Sequence, residues 1–264
     1  MADAKTVLLS RDGPIVTVTL NRPEKLNALS PQLLVDFDAV MLEVRNDPST
    51  KVVVIRGAGR AFSSGYDWVA SSISSTTDQD QMHLQINLER WMRLRDMPKP
   101  VIAMIHGYCL AGASKMAICC DVTFVAEEAR IGFPGLPGGA GIIAAPWSLM
   151  VGPQRAKYLA FAAGGQISGR EAYEMGWAAK AFPMATLEEE TYRYARRVAK
   201  MPPEVVRIEK MAVNRAMDIQ GFRTAFMTGA EWNVIAHFSP ATIEARQMVK
   251  EKGLRAALAY YQQP

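Results

Sequence analysis

Two glycine-containing turns contain the residues of this sequence whose types and spacing could do chemistry. The first turn, residues 60–67, contains Gly65, which permits a backbone path that leaves the N–H of Tyr66 pointing into a cleft. The second turn, residues 106–114, contains Tyr108 and Gly112, and Gly112 would begin a helix whose first N–H groups have no intrahelical partner. Two such donors would form an oxyanion hole if they converged. Plain strand-to-helix connections are the alternative interpretation.

The elements that must position these turns alternate between strand and helix. Residues 15–20 alternate apolar and Thr positions and predict a strand in a hairpin with residues 7–9. Ser30 and Pro31 predict the start of an amphipathic helix. The apolar run 51–55 predicts a strand that is covered on both faces. This order indicates an α/β layered core.

The rest of the chain continues this alternation and then changes to helices. The predicted elements are a helix at 81–95, a strand at 101–105, a helix at 112–119, a strand at 122–125, and helices at 153–162, 169–176, 187–201, 204–218 and 221–236. From residue 147 onward only helices are expected. The polar tract 71–77 is predicted to be a loop, placed where a substrate lid could lie.

Length and composition place the chain among ordinary globular proteins. It has 264 residues, of which 49% are hydrophobic and 21% charged, so one large domain or a domain with a small appendage is expected. The net charge of +4 is small for this size. Because basic runs with interleaved aromatic residues are not visible, nucleic acid is permitted as a partner but not demanded.

Cysteine usage and the amino terminus predict a cytoplasmic protein. The three cysteines, Cys109, Cys119 and Cys120, are an odd number, and a disulfide between the adjacent pair would be strained. No spacing resembles a zinc site, so we assign no metal. The first residues lack the apolar core of a signal peptide, and no run is long enough to predict a membrane span.

Several motifs in one order resemble the crotonase (enoyl-CoA hydratase/isomerase) superfamily. They are the segments 20–29, 61–67, 99–103 followed by 107–113, and 120–121, and the segments 167–172 and 176–177 look like the family's later helical region. The resemblance implies a crotonase-like spiral of β-β-α units over residues 1–200. It also implies a carboxy-terminal helical region, residues 201–264, that drives assembly into a homotrimer or a dimer of trimers.

The resemblance implies an acyl-coenzyme A substrate and no cofactor beyond the coenzyme A that the substrate carries. The N–H groups of Tyr66 and Gly112 would bind the thioester carbonyl and stabilise an enolate. Four positions match those against which the family's adenine and pantetheine lie: Lys25, Leu26, Ala61 and Ser64. The further candidate substrate-binding residues are Gly65, Tyr108, Gly135 and Gly138.

This chain departs from the family at both positions where the hydratases place a catalytic glutamate. The matching residues are Lys115 and Gly135, so the resemblance implies a lyase or isomerase with an atypical site, and ordinary two-glutamate hydration is not expected. Lys115 could stabilise an enolate or a substrate carboxylate as a cation, act as a base, or reach out to solvent. The glycine-rich loop with Gly135 and Gly138 suggests a roomy or apolar pocket wall.

Replacement acid–base groups are expected between residue 78 and Pro98, because related enzymes line the acyl pocket from this stretch. It supplies Asp80, His83, Glu89 and Arg90, of which Glu89 is the candidate catalytic residue. His83 and Glu89 are six residues apart and do not share a helix face well. The phenol of Tyr66 is another candidate.

Three function classes stay open at the level of sequence. The first is an enolate-stabilising acyl-CoA enzyme that catalyses hydration with an unusual base, double-bond isomerisation, or C–C bond hydrolysis of a β-dicarbonyl acyl-CoA. The second is a pseudoenzyme that binds coenzyme A without chemistry. The third is an RNA-binding protein, for which the modest excess of positive charge is weak support.

Overall fold

A six-stranded sheet forms the centre of the fold in the computed structural model, which describes residues 5–70, 74–138 and 141–262. Its strands, in spatial order, are β1 (Val7–Asp12), β2 (Ile15–Leu20), β3 (Val52–Gly57), β4 (Val101–Ile105), β6 (Val122–Ala126) and β9 (Lys180–Phe182). The β1–β2 pair is antiparallel and every other pair is parallel. A second sheet contains β5 (Tyr108–Leu110), β7 (Arg130–Gly132) and β8 (Gln166–Ser168).

Helices cover the central sheet because its middle strands are apolar on both faces. The helices are α1 (Pro31–Asn46), α2 (Thr77–Arg95), α3 (Gly112–Ala117), α4 (Gly141–Val151), α5 (Pro153–Phe161), α6 (Gly169–Glu174), α7 (Met184–Val198), α8 (Pro203–Ile219), α9 (Phe222–His237), α10 (Pro240–Lys252) and α11 (Leu254–Gln262). Helix α1 begins as predicted, with the Ser30 side chain accepting a hydrogen bond from the Leu33 N–H. Helix α7 packs on β3, β4 and β6.

The prediction of helices alone after residue 147 is wrong. The short strands β8 and β9 lie in this part of the chain, and β9 pairs in parallel with β6 while β8 pairs antiparallel with β7. Both have three residues. A segment of this length has no measurable periodicity, and its pairing with strands much earlier in the chain decides its conformation.

The carboxy-terminal helices fold back toward the amino-terminal part of the chain. Helix α9 packs against both α4 and α2, and the predicted boundary at residue 200 falls between α7 and α8. In the described ranges, no helix is both long and apolar enough to cross a membrane. Of the tract 71–77, residues 71–73 lie outside the described residues, and Thr76 caps the start of α2.

Candidate active site

The two glycine turns lie side by side because their backbones pair. The Phe62 N–H donates to the His106 carbonyl, and the Ser63 N–H donates to the Tyr108 carbonyl, at 2.9 Å in each case. In return, the Leu110 N–H donates to the Ser63 carbonyl at 3.1 Å. This ladder fixes the first turn against β5, so the glycines that follow are held in one register.

Gly65 and Gly112 meet where the two turns come closest. Gly65 has a φ of +91°, and a Cβ atom at this position would lie 2.7 Å from the Leu110 carbonyl oxygen and 3.2 Å from the Gly112 nitrogen. Both the positive φ and the close approach of backbone exclude larger residues. Glycine at 65 therefore lets the first turn reach the start of helix α3.

Hydrogen bonds on one side of the Gly65–Tyr66 peptide set the direction of the Tyr66 N–H. The Gly65 carbonyl accepts from the Leu29 N–H at 2.8 Å, and the Gly65 N–H donates to Ser63 Oγ at 3.2 Å. The C=O and N–H of a trans peptide point in opposite directions. The Tyr66 N–H consequently points away from Leu29, and it donates to no acceptor in the described part of the chain.

The second donor is the N–H of Gly112, the first residue of α3. An N–H at this position has no intrahelical partner, and none of the described residues accepts from it. The preceding residue, Ala111, anchors the turn by donating its N–H to the Gly132 carbonyl at 2.9 Å. Two unpartnered N–H groups thus belong to two backbone segments that touch each other, which is a first condition for an oxyanion hole.

The side chain of Tyr66 forms a wall beside these donors. Its ring lies against Gly112, where a Cβ atom would come within 2.6 Å of the ring. Its hydroxyl accepts a hydrogen bond from Trp91 Nε1 at 3.1 Å. Lys115 Nζ lies 4.9 Å from the centre of the same ring. The ring is therefore fixed between helices α2 and α3.

Lys115 is buried beside the oxyanion turns. The residue is 1% exposed and lies three residues after Gly112, so both occupy one face of α3. Among the described residues it forms no ion pair, and its ammonium group contacts the Tyr66 ring. The side chain does not reach out to solvent, which removes that alternative. A buried ammonium without a carboxylate partner is costly, so this charge is a strong candidate for chemistry.

The residues matched to coenzyme A binding lie next to the first turn. The Ser64 N–H donates to the Leu26 carbonyl at 3.0 Å, so the two segments run together. Lys25 is exposed at the end of a short 3-10 helix, and Ala61 is fully buried. Tyr108 is half-buried on β5. The structure thus places Lys25, Leu26 and Ser64 near Gly65. Because Ala61 is fully buried, it takes part in this region only through its backbone.

The glycine-rich loop does not form the roomy wall that its composition suggests. A Cβ atom on Gly135 would lie 2.5 Å from Gln262 Nε2 and 2.7 Å from a methyl group of Leu258, both on α11. A Cβ atom on Gly138 would lie 2.4 Å from the ring of Trp68. The glycines serve close packing here, because side chains from distant parts of the chain fill the adjacent space.

Two of the candidates on helix α2 have polar partners outside the oxyanion turns. Asp80 is buried, and its Oδ2 lies 2.8 Å from Nδ1 of His237 on α9. His83 is exposed, with Nδ1 2.9 Å from Ser74 Oγ. The Asp80–His237 pair joins residues that are 157 positions apart, which no local pattern could indicate.

The other two candidates on α2 are not brought to the turns. Glu89 is exposed and accepts a hydrogen bond from Gln85 at 3.3 Å. Arg90 is buried but forms a bidentate pair with Asp38 at 2.8 and 2.9 Å. The residue of α2 that does contact the site is Trp91, which the apolar pattern indicates only as core.

Asp67, directly after Tyr66, braces the first turn. Its Oδ2 accepts from Arg22 Nη1 at 2.9 Å, and its Oδ1 accepts from the N–H groups of Val69 and Ala70. Burial alone would raise the pKa of Asp67, but the hydrogen bond and charge of Arg22 and these two N–H donors lower it below its ordinary value. The Asp67 carboxylate therefore stabilises the conformation of this loop.

The central sheet, its covering helices and the carboxy-terminal helices define an α/β protein of the crotonase type. The chain belongs to the enoyl-CoA hydratase/isomerase family, whose family model matches residues 10–253. This membership confirms the resemblance and the crotonase-like fold, including the carboxy-terminal helices.

Individual relatives agree with this assignment. The chain is 31% identical over 223 residues to the hydroxycinnamoyl-CoA hydratase-lyase of Pseudomonas fluorescens, covering 81% of this chain and 80% of that protein. It is 32% identical over 221 residues to the short-chain-enoyl-CoA hydratase of Clostridium acetobutylicum, covering 81% and 83%. The solved structure of an enoyl-CoA hydratase/isomerase from Xanthobacter autotrophicus Py2 superposes with a TM-score of 0.92 at 34% identity and covers 98% of both chains.

Proposed function

We propose that the protein binds an acyl-CoA thioester and stabilises its enolate between the N–H groups of Tyr66 and Gly112. The observation that carries this proposal is the close approach of Gly65 to the Gly112 nitrogen: a Cβ atom on Gly65 would lie 3.2 Å from that nitrogen, so the two unpartnered donors are near each other. Donors that are fixed before reaction need no reorganisation when charge moves onto the carbonyl oxygen. Lys25, Leu26 and Ser64 border the same turn and are proposed to contact coenzyme A, with Ala61 beneath them.

Lys115 is proposed to take a catalytic role at the position matched to the first hydratase glutamate. Its ammonium group shares a helix face with Gly112, so it can stabilise the enolate electrostatically or donate a proton to the enolate carbon. The position matched to the second glutamate is Gly135, which lies under Leu258 and Gln262. Ordinary two-glutamate hydration is therefore not part of this proposal.

The reaction is proposed to be that of a lyase or an isomerase with an atypical site. The Pseudomonas relative is named for combined hydratase and lyase activity, and the Clostridium relative for hydration of short enoyl chains. Hydration by an unusual base, double-bond isomerisation and C–C hydrolysis of a β-dicarbonyl acyl-CoA all pass through a thioester enolate. The proposed site supplies what these reactions share.

The functional protein is proposed to be a homotrimer or a dimer of trimers. Helix α8 buries none of its residues within its own chain, although Val205, Ile208 and Met211 form an apolar strip at a spacing of three residues. Exposed apolar strips of this kind indicate an interface.

The proposed function is tested with a pooled acyl-CoA library and the variant Lys115→Met. Wild-type protein should convert at least one thioester. A mass gain of one water identifies hydration or hydrolysis, and changed ultraviolet absorbance without a mass change identifies isomerisation. Lys115→Met keeps the length of the side chain and removes its charge, so kcat should fall by about 10²–10³-fold, as it does when one oxyanion donor is lost.

Lys180→Met is the matched control for this variant. Lys180 Nζ lies 5.7 Å from the centre of the Tyr173 ring, so it repeats the lysine–tyrosine contact away from the turns, and its loss should leave turnover unchanged. Isotope-edited infrared spectra of a bound acyl-CoA should also show the thioester carbonyl stretch at lower frequency than in water. An unshifted carbonyl would overturn the oxyanion site, and unchanged kinetics of Lys115→Met would overturn the role of Lys115.

A further inference from the structure

A second polar cluster lies apart from the oxyanion turns, and we name it the distal cluster. It consists of Asp80 on α2, His237 on α9, Arg246 on α10 and Trp68 in the loop after the first turn. The Asp80 carboxylate and the His237 imidazole are 2.8 Å apart. The Arg246 guanidinium carbon lies 5.5 Å from the centre of the Trp68 ring.

Trp68 connects the distal cluster to the first glycine turn. Trp68 follows Tyr66 by two residues, so its backbone is at most about 7 Å from the Tyr66 backbone. Its ring packs on Gly138, and the neighbouring Pro137 carbonyl accepts a hydrogen bond from Thr242 Oγ1 at 2.5 Å. Trp68 thus lies where the first turn, the glycine-rich loop and helix α10 come together.

Arg246 is the cation of this cluster that lacks an anion. It is half-buried, and its Nε is shielded from solvent without a hydrogen-bond partner. Within the described residues it forms no salt bridge, because Asp80, the carboxylate that acts on it, is hydrogen-bonded to His237. Burial lowers the pKa of Arg246, and the charge of Asp80 offsets this only partly.

Such a guanidinium is a ready-made receptor for a carboxylate. The guanidinium lies over the Trp68 ring in a cation–π contact, and its planar fork of donors matches the two oxygens of a carboxylate. A neutral acyl chain would leave the buried Nε unsatisfied, whereas an incoming anion would satisfy it. The Asp80 carboxylate would oppose an incoming anion, but its Oδ2 is hydrogen-bonded to the His237 imidazole, which takes up part of its charge.

We infer that Arg246 binds a carboxylate at the far end of the acyl group, so that the preferred substrates are ω-carboxyacyl-CoA thioesters. This inference rests on the proposed function, because it assigns the far end of the same substrate whose thioester occupies the oxyanion turns. Trp68 is the surface along which the last carbons of the chain lie before they reach the guanidinium.

The test compares the binding of saturated thioesters of equal chain length by titration calorimetry. The pairs are adipyl-CoA with hexanoyl-CoA and suberyl-CoA with octanoyl-CoA, which differ only in the terminal carboxylate. For at least one pair, the wild-type protein should bind the dicarboxylic member at least tenfold more tightly. Equal or weaker binding of the dicarboxylic member in both pairs would overturn the assignment while leaving the proposed function intact.

Failure of the proposed function is seen in other measurements, because the acyl-CoA library would then show no conversion and the carbonyl stretch of a bound thioester would be unshifted. Arg246→Met should remove the advantage of the dicarboxylic thioester and leave the affinity for its monocarboxylic partner unchanged. Arg170→Met removes a surface arginine that pairs with Glu127 and should keep the advantage. Should Arg246→Met misfold, Arg246→Gln makes the same comparison, because it removes the charge and keeps a polar side chain. An advantage that survives in folded Arg246→Met would show that another group binds the carboxylate.

Discussion

Ala111 holds a backbone conformation that L-amino acids rarely adopt. Its φ of 50° and ψ of −119° fall where a Cβ atom is strained, directly before the proposed donor Gly112. Strain of this kind costs about 1–3 kcal/mol, and glycine would relieve it at an entropic cost of about 0.5–1 kcal/mol. Ala111→Gly should therefore raise the free energy of unfolding by about 1 kcal/mol, measured by urea denaturation.

Ala113→Gly is the control for this substitution. Ala113 lies in the regular part of α3 and is fully buried, so glycine there should lower the free energy of unfolding by about 1 kcal/mol or more. A decrease of stability in both variants would mean that Ala111 is not strained.

Single residues differ in how far their roles could be predicted. Gly65 and Gly112 could be selected as candidates because they lie in glycine-containing turns that follow apolar strands, and Lys115 because it occupies the position matched to a glutamate of the family. The strain at Ala111 could not be predicted, because an alanine gives no local signal of an unusual conformation and its positive φ is imposed by the loop around it. The exposure of Glu89 could not be predicted either, because it depends on how α2 is rotated about its axis against the sheet.

At the scale of elements, the Arg22–Asp67 ion pair ties the segment after β2 to the first turn. Because the pKa of Asp67 is lowered in the folded protein, its stabilisation is fully present above its ordinary pKa of about 4. The stabilisation is lost as pH falls through the lower pKa of the folded state. Asp67→Asn should reduce the free energy of unfolding by about 1–3 kcal/mol at pH 7, as expected for hydrogen bonds to a charged group.

The pH dependence separates this effect from a general loss of packing. The difference between wild type and Asp67→Asn should shrink between pH 5 and pH 2, measured by urea denaturation at each pH. Glu24→Gln, which removes an exposed carboxylate from a nearby segment, should match wild type across this range. A difference that stayed constant with pH would refute the role of the Asp67 charge.

Elements with a long apolar pattern could be predicted, and those defined by pairing could not. The bounds of β2 and β4 follow from their apolar residues, and the start of α1 follows from the Ser30 cap. By contrast, β8 and β9 owe their conformation to β7 and β6. Helices α10 and α11 were not expected, because weakly amphipathic segments become helices only where they can pack.

At the scale of the whole molecule, the candidate site combines parts that are far apart in the chain. Asp80 and His237 meet across 157 positions, and α11 brings Leu258 and Gln262 onto Gly135. These contacts arise because the helices from α9 through α11 fold back over the amino-terminal half of the chain. A periodic pattern indicates that a helix has an apolar face, but it does not indicate which distant loop that face will cover.

The apolar strip on α8 gives a prediction for the assembly of the molecule. Ile208 and Met211 are 60% and 61% exposed in the single chain, so an isolated chain would present them to water. The wild-type mass by light scattering should be three or six times the chain mass of 29.0 kDa. The double variant Ile208→Asp/Met211→Asp would bury two charges in each proposed interface, and its mass should fall to that of one chain.

Val35→Asp provides the matched control, because Val35 on α1 is also 60% exposed and lies outside the carboxy-terminal helices. This variant should keep the wild-type mass. A wild-type mass equal to one chain would contradict the proposed assembly, and an unchanged mass of the double variant would place the interface elsewhere. Circular dichroism of the double variant should match that of wild type, because the side chains of Ile208 and Met211 are both exposed in the single chain.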